Sequence, residues 1–398
     1  MPKINPDILI WARESAGVSV EEAAQKLGFK DTEKATADEK LQLYEDGDKE
    51  PSRSLISKMA KHYKRPLITF YMASPPRKGD RGEDFRTLPD VLDSKQNANV
   101  DALIRDIKAR QKLVRELVEE DNDYQNMSFV SSLDMKSGVD AVVECIKNSL
   151  QFDINEFRKK RDYSSAFTYA RQCTESAGVF VLLMGNLGSH HTNIDLKAFR
   201  GFALADDKAP FIVINDNDHK GAWSFTLFHE LAHVILGRTG VTNVTSTNRI
   251  EKFCNSVAAE ILLPKADLEK LHVNTSLGVA DVKSAISLYS NAYKISNTML
   301  AYSLLLENKI TQKTWNELRG LFRQEFLKSK SAKSDKSTSG PSYYVVRRHR
   351  IGDALINFVS QSLEGGDITS VKAAKVLGIK PQNLEKLIRP SIEHEFVR

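Results

Sequence analysis

The sequence predicts an α+β protein in which short strands pack on helices, and two observations lead to this class. Most of the chain carries apolar residues at helical spacing, interrupted by glycines and capping residues. Three short runs rich in apolar and β-branched residues are bounded by Gly, Pro and Asn, which is typical of strands. These runs are VFVLLM, FRGFAL and PFIVIN.

The composition indicates a globular protein with more than one domain. The chain has 398 residues, of which 41% are hydrophobic and 27% charged, and this balance excludes collagen-like, coiled-coil and wholly disordered classes. No apolar run approaches the roughly 18 residues that cross a bilayer, and the first residues lack the apolar core of a secretory signal. We therefore expect a cytoplasmic protein. Its three cysteines are too few for a disulfide framework or a Cys-rich zinc module.

Five segments are expected along the chain. Residues 1–75 hold short helical patterns broken by glycines, typical of a helix-turn-helix module, and Ser19 with Glu22 predicts a capping box. The next segments are a linker with a connecting helix at 76–135, the largest domain at 136–327, a Ser/Lys-rich flexible linker at 328–342 and a basic helical module at 343–398. The last module repeats a helix-turn-helix pattern around a glycine.

The two ends of the chain differ in charge. Residues 1–50 contain 7 Lys/Arg against 12 Asp/Glu, whereas residues 321–398 contain 14 against 8. The candidate recognition helix of the N-terminal module is acidic, and DNA phosphates would repel it. Protein binding and DNA binding therefore both stay open for this module. The basic module is the better electrostatic candidate for nucleic acid. Its candidate contacts are Arg347, Arg348, Arg350, Lys372 and Lys375.

An HExxH motif carries the chemistry of the central domain. His229 and His233 are four residues apart on the clearest helical pattern, AWSFTLFHELAHVILG, so both imidazoles lie on one helix face and can bind one metal ion. Glu230 is not aligned with the two ligands but can reach a metal-bound water as a general base. A catalytic zinc site needs three protein ligands and an open position. The motif therefore predicts a third ligand nearby.

The helical segment IEKFCNSVAAEILLP supplies two candidate third ligands, Glu251 and Glu260. Nine residues separate them, about half a helical turn out of phase, so only one can face the histidines. We choose Glu251, because Asn255 lies one turn further along the same face and can orient a ligand from behind.

These motifs resemble those of the ImmA/IrrE zinc metallo-endopeptidases. The resemblance rests on HELAHVILG followed by IEKFCNSVAAEILLP, and on FRGFALADDKAPFIVIND leading into the first of these. The N-terminal segment WARESAGVSVEEAAQKLG is similar to the XRE-type helix-turn-helix that is often fused to this family. Together the similarity covers most of residues 5–325.

The resemblance implies a gluzincin-like fold and a zinc-dependent enzyme. His229, His233 and Glu251 would be the zinc ligands, with Glu251 opening the E-x-x-x-N pattern, and Glu230 the catalytic base. The family's usual activity is site-specific cleavage of a repressor or antitoxin-like DNA-binding protein, which switches on a stress, mobile-element or phage-related response. The expected partner is therefore a regulatory protein substrate, with DNA a further partner of the basic module.

Two questions stay open from the sequence. An additional donor for the developing oxyanion is expected, and His219, His272 and Tyr302 are equal candidates for it. The alternative function is a non-catalytic DNA-binding regulator or antitoxin-like protein in which zinc is structural or sensory. An intact Glu230 argues against that alternative, because a structural site needs no general base.

Overall fold

The structure, a computed structural model, describes residues 4–76, 94–120, 126–189, 192–238, 240–242, 249–274, 278–334 and 341–389. Its α-helices are α1 (Pro6–Glu14), α2 (Val20–Leu27), α3 (Ala37–Glu45), α4 (Arg53–His62), α5 (Ser94–Glu120), α6 (Val139–Leu150), α7 (Ile154–Arg158), α8 (Tyr163–Ser176), α9 (Lys220–Ile235), α10 (Arg249–Leu262), α11 (Lys265–Glu269), α12 (Val279–Tyr293), α13 (Asn297–Leu306), α14 (Gln312–Ser334), α15 (Tyr343–Ile351), α16 (Asp353–Gly365), α17 (Ser370–Leu377) and α18 (Leu384–Ile388). The strands are β1 (Phe180–Leu183), β2 (Gly201–Leu204), β3 (Phe211–Ile214) and β4 (Gly240–Thr242). The α+β class is confirmed.

The chain divides into two compact units. Unit 1 comprises Met1–Asp106 with Asn186–Ala198, and unit 2 comprises Ile107–Gly185 with Phe199–Arg398. Helix α5 contributes residues to both. This division does not test the five segments expected from the sequence, which stay a prediction. Among the helices of the described residues, none combines the length and the apolar character that a membrane crossing requires.

Unit 1 begins with short helices whose ends follow the predicted signals. The Ser19 side chain accepts a hydrogen bond from the Glu22 backbone N–H, and Gly28 ends α2 in the left-handed conformation. The other half of the predicted capping box is not formed. Instead the Glu22 carboxylate pairs with Lys26 and with Lys95, because two ammonium groups within reach compete better than one backbone N–H.

A buried ion pair ties α1 to the end of α3 in unit 1. Arg13 Nε and Nη2 donate to the two carboxylate oxygens of Glu45 at 2.8 and 2.9 Å, and both side chains are largely shielded from water. The surrounding core is built from apolar residues of α1, α2, α3 and α4, with Tyr63 and Phe70 closing it. The helix-turn-helix identity of this unit stays a prediction.

A mixed sheet lies at the centre of unit 2, in the strand order β1-β3-β2-β4 among the described residues. Strands β1 and β3 run parallel, with Phe180 opposite Phe211, while β2 runs antiparallel to both β3 and β4. Every residue of β1, β2 and β3 is buried, which explains their continuous apolar sequence. The three predicted strands are therefore confirmed.

Helices α8 and α9 pack on this sheet, α6 and α10 pack on α9, and all four share one apolar core with the sheet. Helix α14 is longer than expected. Residues 328–334, assigned to a flexible linker from their Ser and Lys content, continue this helix. A helix that is already anchored by Trp315, Leu318 and Phe322 extends at low cost through residues of moderate helix propensity. Residues 335–340 of the expected linker, and 77–93 of the first one, lie outside the described residues.

The C-terminal helices pack on the core of unit 2. Arg171 on α8 donates to the carbonyl oxygen of His349 at 2.6 Å, and its partner Glu175 accepts the backbone N–H of Ala354 at 3.4 Å. Gly352 joins α15 to α16 at φ +89°, and a Cβ there would lie only 2.2 Å from Arg171 Nη2. A glycine is therefore required at this joint for both its conformation and its close approach.

Candidate metal centre

Helix α9 positions the HExxH motif in the interior of unit 2. The helix begins at His219, whose Nδ1 accepts the backbone N–H of Gly221 at 3.1 Å. Near its end, the carbonyl oxygens of Val234 and Ile235 accept backbone N–H groups from the segment that precedes α6. Both ends are thus satisfied, and the side chains of the motif are held in a fixed frame.

The structure brings His229, His233 and Glu251 together. The Nε2 atoms of the two histidines are 3.1 Å apart, and each lies 3.3 Å from one carboxylate oxygen of Glu251. The first two residues come from α9 and the third from the start of α10, the helix that packs most extensively on α9. The histidine side chains are only 2% and 5% exposed, whereas Glu251 is 14% exposed. The cluster therefore has its more open side at the carboxylate.

The close approach of these three side chains is compatible with a tetrahedral metal ion. Ligand atoms about 2.0–2.1 Å from such an ion lie about 3.3 Å from one another. The two Nε2 atoms are 3.1 Å apart, and each lies 3.3 Å from a different carboxylate oxygen of Glu251. Among His, Cys, Asp and Glu side chains of the described residues, these three form the one group that can hold a metal. A set of two imidazoles and one carboxylate leaves a tetrahedral ion one position for water or substrate, as catalytic zinc sites require.

Asn255 lies behind His229. Its Oδ1 is 3.0 Å from Nδ1 of that histidine, so we assign the ring proton to Nδ1 and the free lone pair to Nε2, which faces the other two residues. Asn255 is exposed and stands one helical turn beyond Glu251. Asn255 thus contacts His229, and its role in orienting a metal ligand stays a prediction.

Burial and close contact shift the pKa values of all three side chains in the cluster. Burial lowers the pKa of His229, whereas contacts with Cys254 and Glu251 outweigh burial and raise the pKa of His233 well above its ordinary value. Burial also acts on Glu251, but the two imidazoles lower the pKa of its carboxyl group to about 2. A carboxylate therefore faces the two imidazole rings, and a divalent cation bound between them would compete with protons for the same nitrogen atoms.

Glu230 is fully buried beside the cluster. Its carboxylate and the side chain of Thr226, one helical turn earlier, lie against Gly201 on β2. Glu230 is also close enough to His233 for its charge to favour the protonated ring. A buried carboxylate beside a group of side chains that could hold a metal is the type of group that transfers protons in hydrolytic sites.

The other candidates have different positions. Glu260 accepts the backbone N–H of Lys265 at 3.2 and 3.3 Å and so caps the start of α11. His219 caps α9 about ten residues before the motif, and His272 is exposed in the loop after α11. Tyr302 is 48% exposed and stacks on Trp315, with the ring centroids 5.4 Å apart. These contacts give none of the three oxyanion candidates a place at the metal centre.

The basic residues of the C-terminal helices are mostly engaged within unit 2. Arg347 donates to the carbonyl oxygen of Gly378, and Arg348 donates to that of Leu387 at 3.2 Å. Arg350 pairs with Asp216 at 2.7 Å, in the loop between β3 and α9.

The two lysines differ from these arginines. Lys372 lies 3.9 Å from Glu116, and Lys375 is exposed. A nucleic-acid role for the five residues stays a prediction, and the structure supplies the three arginines with intramolecular partners.

Comparison with known proteins identifies one related family. Residues 186–285 match the family model Peptidase_M78, the IrrE N-terminal-like domain. This range contains β2, β3, α9 and α10, and with them all three residues of the cluster. The match supports the ImmA/IrrE resemblance and a metallopeptidase-type domain. Neither curated proteins nor solved structures gave a significant match to the chain.

Proposed function

We propose that this protein is a zinc-dependent endopeptidase that makes limited cuts in a DNA-binding regulatory protein. The observation that carries the proposal is the cluster of His229, His233 and Glu251, whose ligand atoms lie close enough together to hold one metal ion, with a buried carboxylate, Glu230, beside it. The family match over residues 186–285 supports peptide hydrolysis as the reaction. The repressor or antitoxin-like nature of the substrate, and control of a stress or mobile-element response, rest on the family resemblance.

In this mechanism each residue has one task. His229, His233 and Glu251 would hold the zinc ion, which, when bound, acidifies a water molecule and polarises the scissile carbonyl. Asn255 fixes the ring of His229 through Nδ1. Glu230 accepts a proton from the attacking water at a carboxylate oxygen and later donates it to the nitrogen of the leaving amine.

Metal analysis tests the site. We expect about one zinc per chain in the wild type and in Glu260→Ala, and little in Glu251→Ala. Glu260→Ala is the matched control, because it removes a carboxylate from the same helix that serves only as a cap. No zinc in the wild type, even after zinc is supplied, would contradict the proposal.

Activity needs a test that does not presuppose the substrate. New protein N-termini are compared by mass spectrometry between host cells that produce the wild type and cells that produce Glu230→Gln. We expect a small number of N-termini that appear only with the wild type, because Glu230→Gln keeps the shape of the site but cannot take a proton. If the two samples agree although both proteins contain zinc, the non-catalytic regulator becomes the better explanation.

A further inference from the structure

We infer that Gly201 is a positioning residue for Glu230: the missing side chain at this strand position leaves the space in which the Glu230 carboxylate is held. The inference rests on the proposed function, in which Glu230 is the general base. It concerns a residue outside the HExxH motif that acts through Glu230.

The geometry at Gly201 is tight on the side that faces α9. Gly201 opens β2 and is paired with Ile214 of β3 and Thr242 of β4. A Cβ atom built on Gly201 would lie 2.6 Å from Thr226 Cγ2, 2.7 Å from Glu230 Oε1 and 3.1 Å from Glu230 Cγ. Carbon atoms in contact prefer about 3.5–4.0 Å, so an alanine would force a neighbour to move.

Backbone conformation does not explain this glycine. Gly201 is not among the glycines with positive φ, and it lies in a regular strand that any residue can adopt. Glycine in a strand interior often marks a site where another element approaches closely. Here that element is α9, with Thr226 and Glu230 on the approaching face.

The two neighbours of Gly201 differ in how they can respond to a methyl group. Thr226 is β-branched, buried and bonded through its hydroxyl to the carbonyl oxygen of Ala222 at 3.2 Å, so its side chain resists rotation. The carboxylate of Glu230 is the end of a longer chain and can rotate more easily. An added methyl group should therefore displace the base. The three atoms nearest to that Cβ position belong to Thr226 and Glu230 and not to a metal ligand, so His229, His233 and Glu251 should keep their places.

Cobalt-substituted protein gives a test that needs no substrate. Cobalt(II) reports its own coordination by visible absorption, and acetohydroxamic acid binds such a centre while it gives up its hydroxyl proton to the neighbouring base. We expect Gly201→Ala to take up cobalt as the wild type does and to bind acetohydroxamic acid about tenfold or more weakly, as loss of a hydrogen bond to a charged group predicts. Equal binding by Gly201→Ala and wild type would overturn the inference.

A double-mutant cycle separates an effect through Glu230 from a general one. In the Glu230→Gln background the base is already lost, so Gly201→Ala should weaken acetohydroxamic acid binding much less than it does in the wild type. An equally large additional loss in that background would show that Gly201 acts elsewhere. Gly320→Ala is the control, because Gly320 has open space at its Cβ position and should match the wild type.

A further variant covers the case in which Gly201→Ala does not fold. Adding Thr226→Ser removes the Cγ2 atom and leaves the contact with Glu230, so the double variant should fold, bind cobalt and still bind acetohydroxamic acid weakly. Recovery of wild-type binding would overturn the inference, as would failure of both variants to fold, because the space would then serve helix packing. Wild-type protein that takes up no cobalt would instead contradict the proposed function.

Discussion

Replacing Asn255 by alanine is expected to weaken zinc binding by about tenfold without destabilising the metal-free protein. The Oδ1 atom of Asn255 lies 3.0 Å from Nδ1 of His229 and holds the ring proton there, which leaves Nε2 free for the metal. Loss of such a partner typically costs about 10- to 100-fold in metal affinity. Because Asn255 is exposed, water replaces part of the lost bond, and the effect should fall at the lower end.

Competition with a fluorescent zinc chelator measures this affinity, and urea unfolding of the metal-free protein measures stability. Alanine is the better helix former by about 0.5 kcal/mol, so the free energy of unfolding should stay the same or rise slightly. Ser256→Ala is the matched control, since the hydroxyl of Ser256 bonds only to the carbonyl oxygen of Lys252 on the same helix among the contacts described. An affinity within twofold of the wild type would refute the role given to Asn255.

Metal binding is expected to release protons, because the pKa of His233 is raised in the metal-free cluster and a protonated ring cannot bind the metal. The affinity for zinc should therefore rise with pH up to that pKa. Calorimetry in buffers of different ionisation enthalpy measures the protons released, and a value of zero would contradict this prediction. In unit 1, Arg13→Ala should lower the free energy of unfolding by about 3–5 kcal/mol, because it leaves the buried Glu45 carboxylate without its partner. Replacing both residues by apolar ones should recover most of this loss, as measured by urea unfolding. In unit 2, Lys309→Met should destabilise by about 1–3 kcal/mol, because its ammonium group donates to three carbonyl oxygens at the end of α11; an unchanged unfolding midpoint would disprove this.

Two features of the His229, His233 and Glu251 cluster were predictable from the sequence, because helix periodicity determines them. Spacing of four residues puts His229 and His233 on one face, and a half-turn phase difference separates Glu251 from Glu260. These rules concern residues of a single helix, so they hold however that helix packs in the fold. The structure adds how α9 and α10 face each other, which the chain could not reveal because it depends on the packing of the whole core.

Other features depend on competition between partners and escaped prediction. Glu22 had the spacing for a capping box, yet two lysines take its carboxylate, and one of them is 73 residues away. Gly201 did carry a local signal, since glycine inside an apolar strand indicates close approach, but the sequence could not name Glu230 as the approaching group. Which distant residues meet in this way depends on the topology of the fold and not on the local pattern of residues in the sequence.

In the C-terminal helices, too, long-range pairing changes what the charged residues were predicted to do. A run of arginines suggested a surface for phosphates, but Arg350 is bonded to Asp216, a residue 134 positions earlier, and is only 24% exposed. A basic side chain that is already paired with a carboxylate of the same protein contributes little to counterion release, which is the main source of nucleic-acid affinity. If these helices bind DNA, exposed residues such as Lys375 must carry the contact, and Arg350 acts by holding the loop that leads into α9. Basic composition therefore predicts a basic surface only where the fold leaves the side chains unpaired.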